Sequence, residues 1–309
     1  MKTTFFPKDF TEKYARILGG QAPEFFSACS TKEQKTIWCN SLVIAPQALK
    51  QRLEAEGWVL HPLGFHENAF AISGESPRPG ADDAFKEGLF NLQEKAAMLP
   101  AIVLAPKPGE RVLDAFAAPG NKTLQLACIA KNQAELIALE REPARFRVLE
   151  FNIEKFGMQA QAKRLDFQKF LDQDGFDKVL LDVPCSSEGL VRKRFDGLKE
   201  WSQKKVLNMA KRQKKAIVRG FDLLVPGGRL VYSTCSLSPE EDEGVIAHLI
   251  EKRPQARIKP LGVGGIASSQ GLEEYEGRKY PEQVKDCTRL YPHKWGCQPF
   301  FIAVIEKTG

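Results

Sequence analysis

The sequence predicts an α/β protein with a doubly wound, mostly parallel sheet and a small N-terminal α/β region. Apolar runs at residues 111–114, 136–139, 178–182 and 229–233 alternate with stretches of helical periodicity. That alternation is typical of parallel strands joined by helices. A segment rich in proline, glycine and serine at residues 73–83 separates this part from a differently patterned N-terminal region. We therefore expect an N-terminal region at 1–76 and a second domain at 84–309.

Composition limits the class of protein. The chain has 309 residues and 43% hydrophobic content, which is enough to bury a large core. No stretch approaches the roughly 20 apolar residues of a membrane helix, and the first residues lack the pattern of a secretory signal. Seven cysteines are scattered without a CxxC pair, so we expect reduced thiols and no metal site. A cytoplasmic protein with no membrane partner is the expectation.

Positive charge is concentrated in one segment. The formal net charge is +6, whereas residues 192–215 alone contain ten lysines and arginines against two acidic residues. Within it, a helix over about 202–221 would place Val206, Ala210, Ile217 and Phe221 on one face and most lysines on the other. Such a helix is either an ordinary solvated surface or a surface that faces an anionic substrate. The residues alone leave both interpretations open.

A ligand site is predicted where the first long strand ends. The segment VLDAFAAPGNKT passes from a strand through a turn of small residues into a helix that begins near Lys122. Open α/β sheets bind ligands at this edge, and a helix N-terminus favours an anionic group. The absence of GxGxxG and GxxxxGK[ST] motifs disfavours NAD and ATP. Glu140, at the end of the second strand, could accept hydrogen bonds from ribose hydroxyls, which indicates a nucleoside ligand.

Two cysteines follow two other strands of the predicted sheet. Cys185 lies in DVPCSS and Cys235 in YSTCSLSPEE. Neighbouring parallel strands end at the same edge, so the two thiols should lie together beside the ligand turn. A buried structural role is the ordinary explanation for either cysteine alone. Both, however, stand among turn residues rather than in an apolar run.

With these motifs the sequence resembles the Sun (RsmB/Nop2-type) family of RNA cytosine-C5 methyltransferases. The pairing of DVPCSS with YSTCSLSPEEDE is the most specific match, and LQEKAAMLPAIVL, DAFAAPGNKT, EGLVRKRFD and PFFIAVIEK extend it over most of the chain. The resemblance implies a Rossmann-like class I methyltransferase fold, S-adenosylmethionine as cofactor, RNA as partner and an N-terminal region that binds RNA. No obligate protein partner is evident from the sequence. Compact members often act on transfer RNA, so we expect tRNA rather than ribosomal RNA.

The resemblance also implies roles for individual residues. Cys235 is the implied nucleophile, Cys185 assists release of the product, Asp182 lies beside both cofactor and target base, and Lys122 orders the site. The implied cofactor contacts are Phe116, Ala117, Ala118, Pro119, Gly120, Asn121 and Lys122 at the methionine moiety, Glu140 at the ribose, Asp166 near the adenine with Arg145 assisting, and Asp182. One departure is Phe195, which stands where the family commonly has asparagine, so we expect target positioning to differ there.

The sequence has three competing interpretations. A DNA cytosine methyltransferase would use Cys185 as nucleophile, and the Thr-Cys-Ser sequence at 234–236 argues against it. An amino-group methyltransferase would carry an aromatic side chain at the place of Cys185, to stack the base. A non-catalytic RNA-binding or assembly factor would keep the fold without turnover. That last alternative is disfavoured by the presence of all four implied catalytic residues, Lys122, Asp182, Cys185 and Cys235. The sequence alone does not exclude it.

Overall fold

The N-terminal part forms a small antiparallel sheet with helices. A computed structural model describes residues 5–74, 79–194 and 196–309, so Phe195 and part of the predicted linker, including its boundary at 76, lie outside the described residues. The elements are α1 (Lys8–Leu18), α2 (Ala22–Cys29), β1 (Thr36–Cys39), α3 (Pro46–Ala55), β2 (Val59–Pro62), β3 (Ala69–Ser73), α4 (Asp83–Lys86) and β4 (Phe90–Leu92). The strand order is β2-β3-β1-β4. Since β4 lies beyond residue 84, the small sheet extends into the range that the sequence assigns to the second domain.

The second part alternates strands and helices. Its helices are α5 (Lys95–Leu104), α6 (Asn121–Ile129), α7 (Pro143–Lys155), α8 (Gln203–Asp222), α9 (Glu243–Lys252) and α10 (Pro292–Trp295). Its strands are β5 (Arg111–Asp114), β6 (Glu135–Glu140), β7 (Ala160–Arg164), β8 (Phe176–Asp182), β9 (Leu224–Thr234), β10 (Ala256–Lys259), β11 (Ser269–Gln270), β12 (Glu274–Tyr275), β13 (Arg278–Lys279), β14 (Thr288–Leu290) and β15 (Phe300–Lys307).

The large sheet has a parallel centre and an antiparallel flank. Its order is β11-β14-β15-β9-β8-β5-β6-β7, and β10 pairs with β15. Strands β7, β6, β5, β8 and β9 are mutually parallel, while β15, β14, β11 and β10 pair antiparallel. The carboxyl ends of β5, β8 and β9 therefore meet at one edge. This arrangement brings the ligand turn and both cysteine segments together.

Both faces of the sheet are covered. Successive β5 residues point to opposite faces, so that Leu113 packs in a cluster with Ile217 of α8 and Val245 of α9, whereas Val112 packs with Leu99 of α5. Helices on two faces define the doubly wound class. Within the described ranges, no helix combines the length and the apolar character that crossing a membrane requires.

The structure corrects three details of the sequence prediction. The helix expected from about residue 91 begins at Lys95, because residues 90–92 form β4 and Glu94 caps the helix by accepting hydrogen bonds from the Ala96 and Ala97 amides. Strand β7 has the sequence AQAKR and was not predicted, since it is a half-exposed edge strand without an apolar run. In the antiparallel flank, only β15 is predicted by the sequence, as an apolar run at 300–305. Strands β11 and β14 have only two and three residues, and β10 has four, so none of them forms an apolar run.

Helices α1 and α2 pack against the second part beside the sheet edge. Phe10 and Tyr14 of α1 lie in one buried cluster with Trp201 and Leu237. The rings of Phe10 and Trp201 meet edge to face, with centroids 5.3 Å apart. Because Leu237 is two residues after Cys235, α1 contributes directly to the surroundings of that cysteine segment.

Candidate active site

A tight turn after β5 forms the floor of the site. The Ala117 amide donates to Leu139 O at 2.9 Å, which ties the turn to the neighbouring strand, and α6 starts at Asn121. Gly120, at the helix N-cap, has φ +109°, and a Cβ there would lie 3.3 Å from Leu149 Cδ1. A residue with a side chain would be strained at this φ. Glycine at this position lets the turn pack closely on α7.

A cavity of about 480 Å³ opens above this turn. It lies between the carboxyl edge of the sheet and the N-terminal part. The lining includes Phe116, Ala117, Ala118, Pro119, Asn121, Lys122 and Asp182 from the predicted site, together with Glu33, Gln34, Lys35, Thr36, Pro79, Leu92, Gln93, Glu94, Ala97, Asp114 and Lys193. Its volume is within the range of small-molecule sites.

Asp114 places a buried carboxylate at the wall of this cavity. The side chain is buried, its Oδ2 accepts a hydrogen bond of 2.8 Å from Thr123 Oγ1, and its Oδ1 has no partner among the described residues. Burial raises the pKa of Asp114 to about 6. A buried unpartnered carboxylate oxygen is costly, and a ligand ammonium group would satisfy it. The cavity therefore fits a ligand with the size and the amino group of S-adenosylmethionine.

The remaining predicted cofactor residues lie beside this cavity, outside its lining. Glu140 ends β6, where its Oε1 accepts from the Glu142 amide at 2.8 Å and its Oε2 lies 3.3 Å from Arg145 Nη1. Arg145 also donates to Ala118 O, so it joins the end of β6 to the turn. Asp166 caps the short turn after β7 through the Gln168 amide. These residues surround the turn, and their ligand contacts stay predictions.

Asp182 is held by two donors at the end of β8. Lys122 Nζ lies 2.7 Å from its Oδ2, and Ser233 Oγ donates to its Oδ1 at 2.8 Å. The Asp182 side chain is 31% exposed and the Lys122 side chain 11%, so the carboxylate remains accessible from the cavity. Its orientation is fixed by β9 on one side and α6 on the other.

The two cysteines are in direct contact. Cys185 Sγ and Cys235 Sγ are 3.2 Å apart, and Cys235 is the more exposed of the two. The hydrogen bond from Cys185 lowers the pKa of Cys235, assisted by the positive charges of Lys193 and Lys122. The same contact, together with burial, raises the pKa of Cys185. The arrangement thus favours a thiolate on Cys235 and a thiol on Cys185.

The backbone approaches Cys235 closely from the turn at Glu188–Arg192. The Gly189 amide donates to Cys235 O at 2.8 Å. A Cβ on Gly189 would lie 3.1 Å from Cys235 Cβ and 3.0 Å from Gln298 Oε1. Glycine matters here for space rather than for its φ, because a Cβ would press against Cys235 unless the neighbouring atoms moved by a few tenths of an ångström.

Sequence reasoning missed several residues of the site. Asp114 ends the same strand as the predicted turn, so its position at the ligand edge could have indicated it. Gln93, Glu94 and the segment 33–36 also line the cavity. Segment 33–36 carries no motif. Gln93 and Glu94 stand in the matched segment LQEKAAMLPAIVL, but that match assigned them no role at the ligand site.

Comparison with known proteins identifies the family. A family model described as 16S rRNA methyltransferase RsmB/F matches residues 101–306, and one described as the N-terminal domain of 16S rRNA methyltransferase RsmF matches residues 6–95. The chain belongs to the RsmB/F methyltransferase family. The predicted resemblance to the Sun (RsmB/Nop2-type) family is confirmed.

Relatives within this family carry two kinds of name. Ribosomal RNA small subunit methyltransferase F of Vibrio parahaemolyticus is 38% identical over 98% of this chain, which spans only 63% of that protein's length. The tRNA (cytosine(49)-C(5))-methyltransferase of Pyrococcus abyssi is 34% identical over 97% of this chain and 96% of its own length. Both relatives are thus named as RNA methyltransferases, but their names give different RNA substrates.

Solved structures confirm the fold class. A methyltransferase homolog protein from Pyrococcus horikoshii aligns with a TM-score of 0.86 and 30% identity, covering 98% of this chain and 95% of its own. NSun6 from Pyrococcus horikoshii, solved with SFG, aligns with a TM-score of 0.86 at 24% identity, covering 98% of this chain and 99% of its own. The doubly wound α/β architecture with a small N-terminal α/β region is thus shared along nearly the whole chain.

Proposed function

We propose that this protein is an S-adenosylmethionine-dependent RNA cytosine-C5 methyltransferase. The observation that carries the proposal is the contact of Cys185 and Cys235 at 3.2 Å, on the sheet edge that also holds Asp182 and the cavity. Membership of the RsmB/F family supports the reaction class. A non-catalytic assembly factor would have no need of a paired thiol with a lowered pKa at this edge.

The chain's own residues would hold the cofactor around the β5 turn. The free Asp114 Oδ1 suits the amino group of the methionine moiety, and residues 116–122 would surround the rest of that moiety. Glu140 is proposed for the ribose and Asp166 for the adenine side, with Arg145 between them and the turn. Bound there, S-adenosylmethionine supplies an activated methyl group.

Cys235 is the proposed nucleophile, because C5 of cytosine needs activation before it can be methylated. The Cys235 thiolate forms an S–C6 bond, and the electron pair of the C5=C6 double bond moves toward C5 and the N3 side of the ring. Asp182, oriented by Lys122 and Ser233, would in its protonated form donate its proton to N3, and the N3–H bond takes up that charge. After C5 has gained the methyl group, water removes the C5 proton and the electron pair of that bond re-forms the C5=C6 double bond. The S–C6 electron pair leaves with the Cys235 thiolate, and N3 returns its proton to the Asp182 carboxylate. Cys185 is proposed to assist that release.

RNA docking is proposed on the exposed face of α8. Lysines and arginines occupy that face from Lys204 to Lys215, a length of roughly 16 Å. The cations on this face are Lys204, Lys205, Lys211, Arg212 and Lys215. Within the described residues, none of them forms an ion pair. The end of α8 near Gln203 contacts Glu240, close to the Cys235 segment. A backbone that follows this face would therefore lead toward the thiols.

Replacing two of these cations tests the docking surface. Lys211→Gln/Lys215→Gln should weaken RNA binding and reduce the slope of log affinity against log salt by about 1.4, or roughly 0.7 for each lost contact with single-stranded RNA. Lys131→Gln, on the turn after α6, is a control that should leave the slope unchanged. An unchanged slope in the double variant would remove α8 from the interface.

We propose transfer RNA as the substrate class, with 16S ribosomal RNA as the second candidate. The match to the Pyrococcus abyssi tRNA enzyme covers 96% of that protein, which supports the first. The second is supported by the higher identity to the Vibrio parahaemolyticus enzyme. Bisulfite sequencing of tRNA and of small-subunit rRNA after incubation with the protein separates them.

The reaction is tested with labelled S-adenosylmethionine and total RNA. Wild type, Cys185→Ala and Cys235→Ala are compared for methyl transfer and for protein–RNA adducts that survive denaturant. We expect Cys235→Ala to be inactive and free of adduct, and Cys185→Ala to accumulate adduct because release is impaired. An adduct that requires Cys185, or methyl transfer by Cys235→Ala, contradicts the assigned nucleophile. A protein that binds RNA without methylating it would be the assembly factor instead.

A further inference from the structure

Glu241 connects the segments that carry the two cysteines. Its Oε1 accepts a hydrogen bond of 2.9 Å from the amide of Ser186, and its Oε2 accepts one of 3.0 Å from Ser236 Oγ. Ser186 directly follows Cys185, and Ser236 directly follows Cys235. The carboxylate is completely buried. One side chain therefore links the residues next to both thiols.

Gln213 extends this link to helix α8. Its Nε2 donates to Glu241 Oε1 at 3.0 Å and to Pro184 O at 2.9 Å. Pro184 directly precedes Cys185, so Gln213 and Glu241 hold the chain on both sides of that cysteine. Gln213 is 2% exposed, and in such a site water offers little alternative to these hydrogen bonds.

The two thiols ionise with different ease. The hydrogen bond to Cys235 and burial raise the pKa of Cys185, and the negative charge of Glu241 raises it further. The hydrogen bond from Cys185 lowers the pKa of Cys235, and the cations of Lys193 and Lys122 act in the same direction, against burial and the anion of Asp182. Glu241 is therefore one of the groups that favour the anion on Cys235.

Glu241 is itself surrounded by ionisable groups. Burial and the carboxylate of Glu188 raise its pKa to about 7. Asp242 and Tyr232 also lie within its electrostatic reach. Above neutral pH the carboxylate is ionised, which is the range in which thiols begin to ionise.

We propose that Glu241 is a positioning residue for the thiol pair. It fixes the two cysteine segments at their sulfur contact and keeps the proton of the pair on Cys185, which leaves Cys235 as the thiolate. Gln213 supports the same geometry. The proposal rests on the proposed function, because only an attacking Cys235 needs to be the anionic member.

The test measures which sulfur is nucleophilic, in the absence of RNA and cofactor. Wild type, Glu241→Gln and Glu240→Gln are treated with iodoacetamide over a range of pH, and mass spectrometry gives the labelling rate of Cys185 and of Cys235. Glu240→Gln is the matched control, since Glu240 contacts Lys13 and is not hydrogen-bonded to either cysteine segment.

We expect Glu241→Gln to raise the ratio of Cys185 to Cys235 labelling about tenfold, the effect of one pKa unit. The methyl-transfer kcat should fall about tenfold with an unchanged KM for RNA. Glu240→Gln should alter neither quantity by more than about twofold. Should Glu241→Gln fail to fold, Gln213→Met removes the donor to Pro184 and Glu241 and should shift both quantities in the same direction by about threefold.

The outcomes separate this proposal from the proposed function. A folded Glu241→Gln variant with the labelling ratio of wild type overturns the positioning role, and so does a Gln213→Met variant that matches wild type in ratio and kcat. A shifted ratio together with methyl transfer by Cys235→Ala refutes the proposed nucleophile and leaves the positioning role intact.

Discussion

Removing one partner of the buried ion pair of Arg289 and Glu243 should strongly destabilise the protein next to the active site. Both side chains are 0% exposed, and Arg289 Nη1 lies 2.6 and 2.7 Å from the two Glu243 oxygens. Arg289 also donates to Tyr291 Oη at 2.8 Å and to Leu237 O. Arg289→Met would leave the Glu243 charge buried without its cation.

We expect Arg289→Met to lower the free energy of unfolding by about 3–5 kcal/mol. That loss is a large fraction of the total of about 5–15 kcal/mol typical of a folded protein. Arg289→Met combined with Glu243→Gln should recover at least about 2 kcal/mol of it, because the uncompensated charge is then removed as well. Urea unfolding followed by tryptophan fluorescence gives these free energies.

Arg253→Met is the matched control. Arg253 makes two hydrogen bonds of 2.6 Å to Asp222, but the side chains are 34% and 47% exposed. Solvent screens such a pair, so its loss should cost under about 1 kcal/mol. The reasoning is refuted if Arg289→Met costs no more than Arg253→Met, or if the double variant loses the full sum of its two single variants.

Three further changes follow from the site. Gly189→Ala should lower kcat at least about tenfold, measured by methyl transfer, because its Cβ would lie 3.1 Å from Cys235 Cβ. Asp114→Asn should weaken S-adenosylmethionine binding in calorimetry. It should also raise the free energy of unfolding above pH 6. Because the pKa of Asp114 is raised to about 6 in the folded protein, the wild-type protein loses stability as pH rises from about 4 to 6, and the Asn variant does not. A flat pH profile of the wild-type melting temperature contradicts this. Tyr14→Phe should cost about 1–3 kcal/mol in urea unfolding, since Glu188 would lose a buried donor, and an unchanged midpoint would refute it.

Sequence alone predicted the parts of the fold that repeat a strong local pattern. The apolar runs at β5, β6, β8 and β9 and the turn before α6 were placed correctly, because a buried parallel strand and a small-residue turn are visible within a few residues. Strand β7 lies at the sheet edge and carries no apolar run, so local pattern does not mark it. That Cys185 and Cys235 lie close together follows from the adjacency of β8 and β9. The distance between their sulfur atoms, and which of the two cysteines is the thiolate, depend on packing that local sequence does not reveal.

The acidic run after Cys235 illustrates what local pattern does not reveal. Four consecutive acids, residues 240–243, resemble an exposed loop. In the structure the last three are completely buried, and each has a partner from a different element: Glu241 with Gln213, Asp242 with Thr234 and Glu243 with Arg289.

Buried charges of one sign repel each other and resist desolvation, so this run is stable only where the fold supplies its partners. Glu240 takes its partner, Lys13, from 227 residues away along the chain. Helix α1 makes a second contact there, because the Tyr14 hydroxyl donates to Glu188, which accepts from the Leu237 amide two residues after Cys235. Loss of α1 therefore removes more than the Lys13–Glu240 contact and weakens the loop next to Cys235. We therefore expect deletion of residues 1–30 to reduce iodoacetamide labelling of Cys235 relative to Cys185 even when no RNA is present. A truncated protein that folds and keeps the wild-type ratio would show that α1 serves the N-terminal part alone.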